Sequence, residues 1–147
     1  MSADRRRFLI SCSALALAPA LAHGQQNPQR DALLRELTGG STVRTGRVVV
    51  DTPPLADNGH SVPLRIVVDS PMTTTDHVRR IVVLAERNPR PLVATYFLGP
   101  HSGRAEISTR IRLADIQEVV AAAELSDGSW WMGGAHVIVT ELACLEG

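Results

Sequence analysis

Glu106-Ile107-Ser108-Thr109-Arg110-Ile111-Arg112-Leu113 decides the fold of this chain. Ile, Thr, Ile and Leu take every second place, and charged or polar residues fill the places between. A side-chain period of two belongs to a β-strand, whose successive residues point to opposite faces of a sheet. The octet therefore predicts a half-buried strand that turns Ile107, Thr109, Ile111 and Leu113 toward a core. Working outward, further Val-, Ile- and Thr-rich runs read as strands at 47–51, 62–69, 80–86, 93–98, 118–125, 129–132 and 136–142, with the octet inside 105–113. Turn residues separate them: Asp57-Asn58-Gly59, Asp69-Ser70-Pro71, Asn88-Pro89, Gly99-Pro100 and Asp127-Gly128. Asp127-Gly128 between two apolar runs is a tight-hairpin signal. About eight short strands at regular spacing predict an all-β, immunoglobulin-like sandwich.

One segment is helical in pattern. Residues 28–38 place Leu33, Leu34 and Leu37 on a single face, and Gly39-Gly40 supplies the stop. Residues 24–29 read as a linker, and no internal repeat or low-complexity segment is present.

The first 22 residues read as a leader. Asp4-Arg5-Arg6-Arg7-Phe8-Leu9 has the adjacent arginines of twin-arginine export, an apolar run follows to about Ala18, and Ala20-Leu21-Ala22 is a small-x-small cleavage signature. The apolar run falls short of the roughly 20 residues a membrane span needs. The route carries folded cargo, which predicts assembly with a partner or cofactor before export and a periplasmic destination. The expected organisation is a twin-arginine signal peptide at 1–22, linker and short helix at 23–40, a sandwich at 41–142 and a terminal tail at 143–147.

Cleavage leaves 125 residues, enough for one domain with a core. Twelve arginines then face fourteen carboxylates, a net charge of −2 with histidine neutral. Every basic residue of the chain is arginine. No basic field favours nucleic acid or an anionic membrane.

The usual catalytic signatures are missing. His23, His60, His77, His101 and His136 show no zinc-ligand spacing, a lone thiol makes no CxxC pair, and Gly39-Gly40 and Gly133-Gly134 are not phosphate-cradling loops. Ser102 in His101-Ser102-Gly103 lacks the strand-to-helix elbow of a serine hydrolase. The expectation is therefore no metal, no cofactor and no enzyme. Trp130-Trp131 places two large rings on opposite faces of a strand, one as a core anchor and the other half-exposed or at an interface.

Cys144 is the candidate functional residue. Cys12 lies in the leader, so the exported chain keeps one cysteine, fourth from its end. An odd cysteine in an exported chain points to intermolecular pairing or to a reactive free thiol. A thiolate is nucleophilic and can hold an oxidised sulfur atom as a persulfide-type adduct.

The strands and turns resemble the SoxY family, the sulfur-carrier subunits of the bacterial thiosulfate-oxidising Sox system. The resemblance rests on Asp57-Asn58-Gly59-His60-Ser61-Val62-Pro63, Leu84-Ala85-Glu86-Arg87-Asn88-Pro89-Arg90-Pro91, Ala94-Thr95-Tyr96-Phe97 and Ser108-Thr109-Arg110-Ile111-Arg112-Leu113, with Asp127-Gly128-Ser129 and the leader also fitting. It implies an immunoglobulin-like sandwich paired with a SoxZ-like subunit and a substrate carried covalently on Cys144. It also implies transient visits to a haem enzyme that joins thiosulfate to the thiol, a hydrolase that releases sulfate, and a dehydrogenase that oxidises the remaining sulfur. The carrier itself catalyses nothing. The tail departs from the family's Gly-Gly-Cys-Gly-Gly ending, reading Leu142-Ala143-Cys144-Leu145-Glu146-Gly147. Its side chains add bulk, and Glu146 disfavours a nearby thiolate. The alternative is a SoxY-like adaptor that binds a partner and whose cysteine is vestigial.

Overall fold

The computed structural model describes residues 27–141. The expected signal peptide at 1–22, the tail at 143–147, His23 and Cys144 lie outside the described residues. In chain order the elements are α1 (Pro28–Leu37), β1 (Val43–Thr45), β2 (Val48–Asp51), β3 (Leu55–Ala56), β4 (Val62–Val68), β5 (Val78–Ala85), β6 (Leu92–Phe97), a 3-10 turn (Pro100–Ser102), β7 (Glu106–Ile111), β8 (Gln117–Leu125) and β9 (Trp130–Val139). They form two sheets. The large one runs β1-β9-β8-β5-β6, with β3 also beside β9; the small one runs β2-β4-β7. Most pairings are antiparallel, as a sandwich of this class predicts, but β1 and β3 both lie parallel to β9.

The small sheet follows the alternation read in the sequence. In β7 and just beyond it, Ile111 and Leu113 are buried while Ser108, Arg110 and Arg112 are exposed. Its neighbour β4 buries Val62, Leu64, Ile66 and Val68 and exposes Pro63 and Arg65, in the register Val62↔Ile111, Leu64↔Thr109 and Ile66↔Ile107. The inward faces of both sheets meet in one apolar core that includes Val62, Ile66, Ile81, Val83, Val119, Ala121 and Val137.

The large sheet has a second apolar layer on its outer face. Leu34 of α1 packs with Val82, Leu84, Val120, Ala122 and Trp130, and Leu33 and Leu37 lie alongside. The helical face read from the sequence is thus the buried one. The helix is well closed at both ends. Asn27 caps it by accepting from the Gln29 N–H at 3.0 Å, with Pro28 in the first turn. At the other end Gly39 and Gly40 take φ of +63° and +82°, and their N–H groups donate to Glu36 and Arg35 in a Schellman pattern. Pro28 and Gln29 therefore belong to the helix rather than to a linker. Two arginines pin it to the sheet: Arg30 pairs with Glu118 of β8, and Arg80 of β5 donates to the Leu37 carbonyl at 3.3 Å while pairing with Glu124.

The strands expected at 129–132 and 136–142 are instead a single strand, β9. Gly133-Gly134 does not break it, because the glycines answer a packing demand. A Cβ at Gly133 would lie 2.1 Å from the Val48 carbonyl oxygen, so β2 passes directly over β9 there. The short β1 and β3 were not anticipated; two or three residues carry no readable period, and their parallel partner is distant in sequence. Between them the chain leaves β9, runs through the small sheet as β2 and returns. The corner is Gly46-Arg47, where Arg47 holds φ of +56° and its guanidinium donates twice to the Asp69 carbonyl, at 3.0 and 2.7 Å.

Trp130 and Trp131 do point to opposite faces. Trp130 is buried under α1 with the Arg80 guanidinium 4.9 Å from its ring centre. Trp131 packs on the inter-sheet core, flanked by Arg44 and Arg47 at 5.5 and 5.7 Å, and its Nε1–H donates to Ser129 Oγ at 3.2 Å. Both rings are thus engaged within the chain.

Candidate functional site

The last strand delivers the chain toward Cys144, and the fold grips that strand at its end. β3 runs parallel beside it in the register Leu55↔Ile138 and Ala56↔Val139. The Ile138 N–H donates to the Pro54 carbonyl at 2.9 Å, the Thr140 N–H to Ala56 at 3.1 Å, and the Gly59 N–H to Glu141 at 2.8 Å. Thr140 Oγ1 adds a bond to the Asp57 carbonyl at 3.0 Å. The gripping loop is itself held, since its Gly59 carbonyl accepts from the Leu113 N–H at 2.8 Å and Asn58 Oδ1 accepts from the His60 N–H at 2.7 Å. Glu141 therefore leaves the domain at a fixed point, and Cys144 follows three residues later, outside the described residues.

Alternation sorts the side chains at this exit. Ala56 and Val139 turn into the inter-sheet core. Leu55 and Ile138 turn outward and are 53% and 44% exposed. Asp57, Asn58 and His60 on the loop after β3, and Thr140 and Glu141 at the end of β9, are exposed as well. Sequence reading took Asp57-Asn58-Gly59 as a strand separator and as part of a family resemblance. Its role as a clamp on the C-terminal strand was missed, because it depends on which strand end the loop meets in space.

Among the described residues the other candidates do not gather into a site. His60, His101 and His136 are exposed, and His77 lies half-buried with Nδ1 3.1 Å from the Thr73 carbonyl. Among the described residues no group of three or more His, Cys, Asp or Glu side chains could hold a metal ion. A cleft of about 860 Å³ lies between α1 and the β1–β9 edge and is lined by residues such as Arg35, Thr38, Val43, Met132 and Gly134. The carboxylates with altered acidity serve structure. Arg65 hydrogen-bonds Glu106 across the small sheet and holds its carboxyl below the usual range, and Ser129 does the same to Asp127 in the β8–β9 turn. Among the described residues, no helix is long and apolar enough to cross a membrane.

The described residues define a helix-backed β-sandwich whose C-terminal strand is tied at its end to the 54–59 loop. The chain belongs to the SoxY family: the model of the sulfur oxidation protein SoxY matches residues 34–144, so the match runs to Cys144 itself. Among solved structures it is similar to the sulfur carrier protein SoxY from Chlorobium limicola f thiosulfatophilum, at 22% identity and a TM-score of 0.65 over 76% of this chain and 96% of that one. The superoxide reductase (neelaredoxin) from Ignicoccus hospitalis matches at 13% identity and a TM-score of 0.56, over 64% of this chain and 80% of that one. The superoxide reductase from Nanoarchaeum equitans matches at 11% and 0.55, over 65% and 100%. At these identities the structural likenesses speak for the fold alone. No curated protein matches by sequence.

Proposed function

We propose that this protein is a periplasmic sulfur-carrier subunit that holds sulfur intermediates covalently on Cys144 and presents them to partner enzymes. The observation that carries the reading is membership of the SoxY family through a match that ends on this cysteine. The clamped exit at Glu141 supports it, since a carrier needs its thiol beyond a stable domain. The Chlorobium relative is named a sulfur carrier protein. On this reading the chain is a substrate-bearing protein rather than an enzyme. Loading joins the thiol sulfur to the outer sulfur of thiosulfate. The new S–S bond requires loss of the thiol proton and of two electrons, which a haem partner accepts. A hydrolase then releases sulfate and a dehydrogenase oxidises the sulfur left on the carrier. A SoxZ-like subunit forms the heterodimer, and a twin-arginine leader takes the folded pair across the membrane.

The tail favours a second reading. Leu142, Ala143, Leu145 and Glu146 replace the glycines of a standard arm, which suits an adaptor with a vestigial cysteine. Intact-mass spectrometry separates the two. As a carrier, the exported form should be alkylated at one thiol in the native state and gain sulfur-mass adducts after polysulfide treatment, and Cys144→Ser should lose both while folding normally. A native thiol that resists alkylation and gains no sulfur leaves the adaptor.

A further inference from the structure

We infer that Leu55 and Ile138 form the docking rim for the enzyme that acts on Cys144, meeting an apolar lip around a shallow active-site opening; this rests on the carrier reading above. Three peptide units separate Glu141 from Cys144, so their Cα atoms lie at most about 11 Å apart whatever course the tail takes. That reach is close to the spacing of two packed sheets, about 10 Å. A thiol on so short a tether reaches a reacting centre only if the opening comes up against the sandwich around the exit. The exit does not wander: backbone bonds from Ile138, Thr140 and Gly59 tie the end of β9 to the 54–59 loop. The surface beside Glu141 is therefore part of every productive complex.

That surface has an apolar centre. Leu55 and Ile138 are partners in register on parallel strands and project from the same face of the large sheet. They are 53% and 44% exposed, and neither joins the apolar cores on the two faces of that sheet. Folding thus gives little reason for two large aliphatic side chains to stand together here. Polar residues, including Asp57, Asn58, His60 and Thr140, complete the rim, the arrangement expected of a contact patch. Two side chains make a small contact, which suits a carrier that must release one enzyme before meeting the next. The partner this selects has a reacting centre no deeper than about 11 Å below its lip, and aliphatic or aromatic side chains on that lip.

The experiment uses the full exported chain with its partner subunit and compares wild type with the Leu55→Ser/Ile138→Ser double variant. Loading is followed with thiosulfate and the haem enzyme that joins it to the thiol, and iodoacetamide alkylation is read in parallel. The double variant should alkylate like wild type, while its kcat/KM for enzymatic loading should fall about tenfold, the size expected from losing two apolar contacts. A second pair carries Gly-Ser-Gly inserted after Glu141, which lengthens the reach by about 10 Å. With the longer arm the serine substitutions should no longer matter. Equal loading of wild type and double variant, or undiminished sensitivity to the serines with the longer arm, overturns the rim. Failure of wild type itself to load, with Cys144 still freely alkylated, instead removes the carrier reading and the rim with it.

Discussion

The two sheets use much the same residues yet live in different surroundings. In the small sheet one face meets the core and the other meets water, so β4 alternates strictly and its outer face carries the Arg65–Glu106 ion pair at 2.7 Å. In the large sheet Ile81 to Ala85 of β5 and Val119 to Ala123 of β8 are buried without interruption. The difference comes from ten residues of helix. By covering one face, α1 turns a half-wet sheet into a middle layer, and the demand on its strands changes from alternation to continuous apolarity. The strands thus report what lies on both of their sides.

The sharpest way to break this comparison is where the sheets touch. Gly133→Ala places a methyl 2.1 Å from the Val48 carbonyl oxygen, against backbone that has little room to retreat. It should destabilise the domain by roughly 3 kcal/mol or more, measured from the urea midpoint. Gly134→Ala is the control: its methyl meets chiefly the Glu118 carboxylate, which can swing aside, so its cost should be clearly smaller. Similar midpoints for the two variants would show that β2 does not press on β9. Next in size, Leu34→Ala should cost about 2–3 kcal/mol by opening the layer between helix and large sheet. Val49→Ala, on the exposed face of the small sheet, should stay within about 0.5 kcal/mol. Equal losses would mean that the helix is not a core layer.

The smallest effect belongs to the exposed turn between β8 and β9. The Ser129 hydroxyl and N–H both donate to Asp127 and depress its carboxyl. A depressed folded value means that the carboxylate stabilises the domain above the unfolded value, about 3.9, and that this contribution fades as pH falls through the lower folded one. Wild type should therefore melt slightly above Asp127→Asn at pH 6, with the gap closing near pH 3. A gap that persists in acid would assign the effect to something other than the charge.

What was legible in the sequence follows the same divide. The octet around Ile107 and Ile111 announces its strand because one face is wet, and Leu33, Leu34 and Leu37 announce the helix because its other face is. Gly133-Gly134 misled, since glycine in the middle of an apolar run reads as a break unless the backbone passing above it is known. β1 and β3 were invisible for the reason that their partner lies some eighty residues away along the chain. Cys144 stands out in the sequence by position and solitude and lies outside the described residues, whereas the clamp at 54–59 and the outward Leu55–Ile138 pair exist only once β3 is laid beside β9.

The parallel pairings have a mechanical consequence. β1 enters near the start of the domain and β9 leaves at its end, side by side and pointing the same way. A pull at Glu141 along the strand loads the bonds of β9 to β1, β3 and β8 in shear, so that many must yield together. Strands peeled from one end yield one bond at a time. The domain can therefore be tugged at the end of β9 and keep its shape.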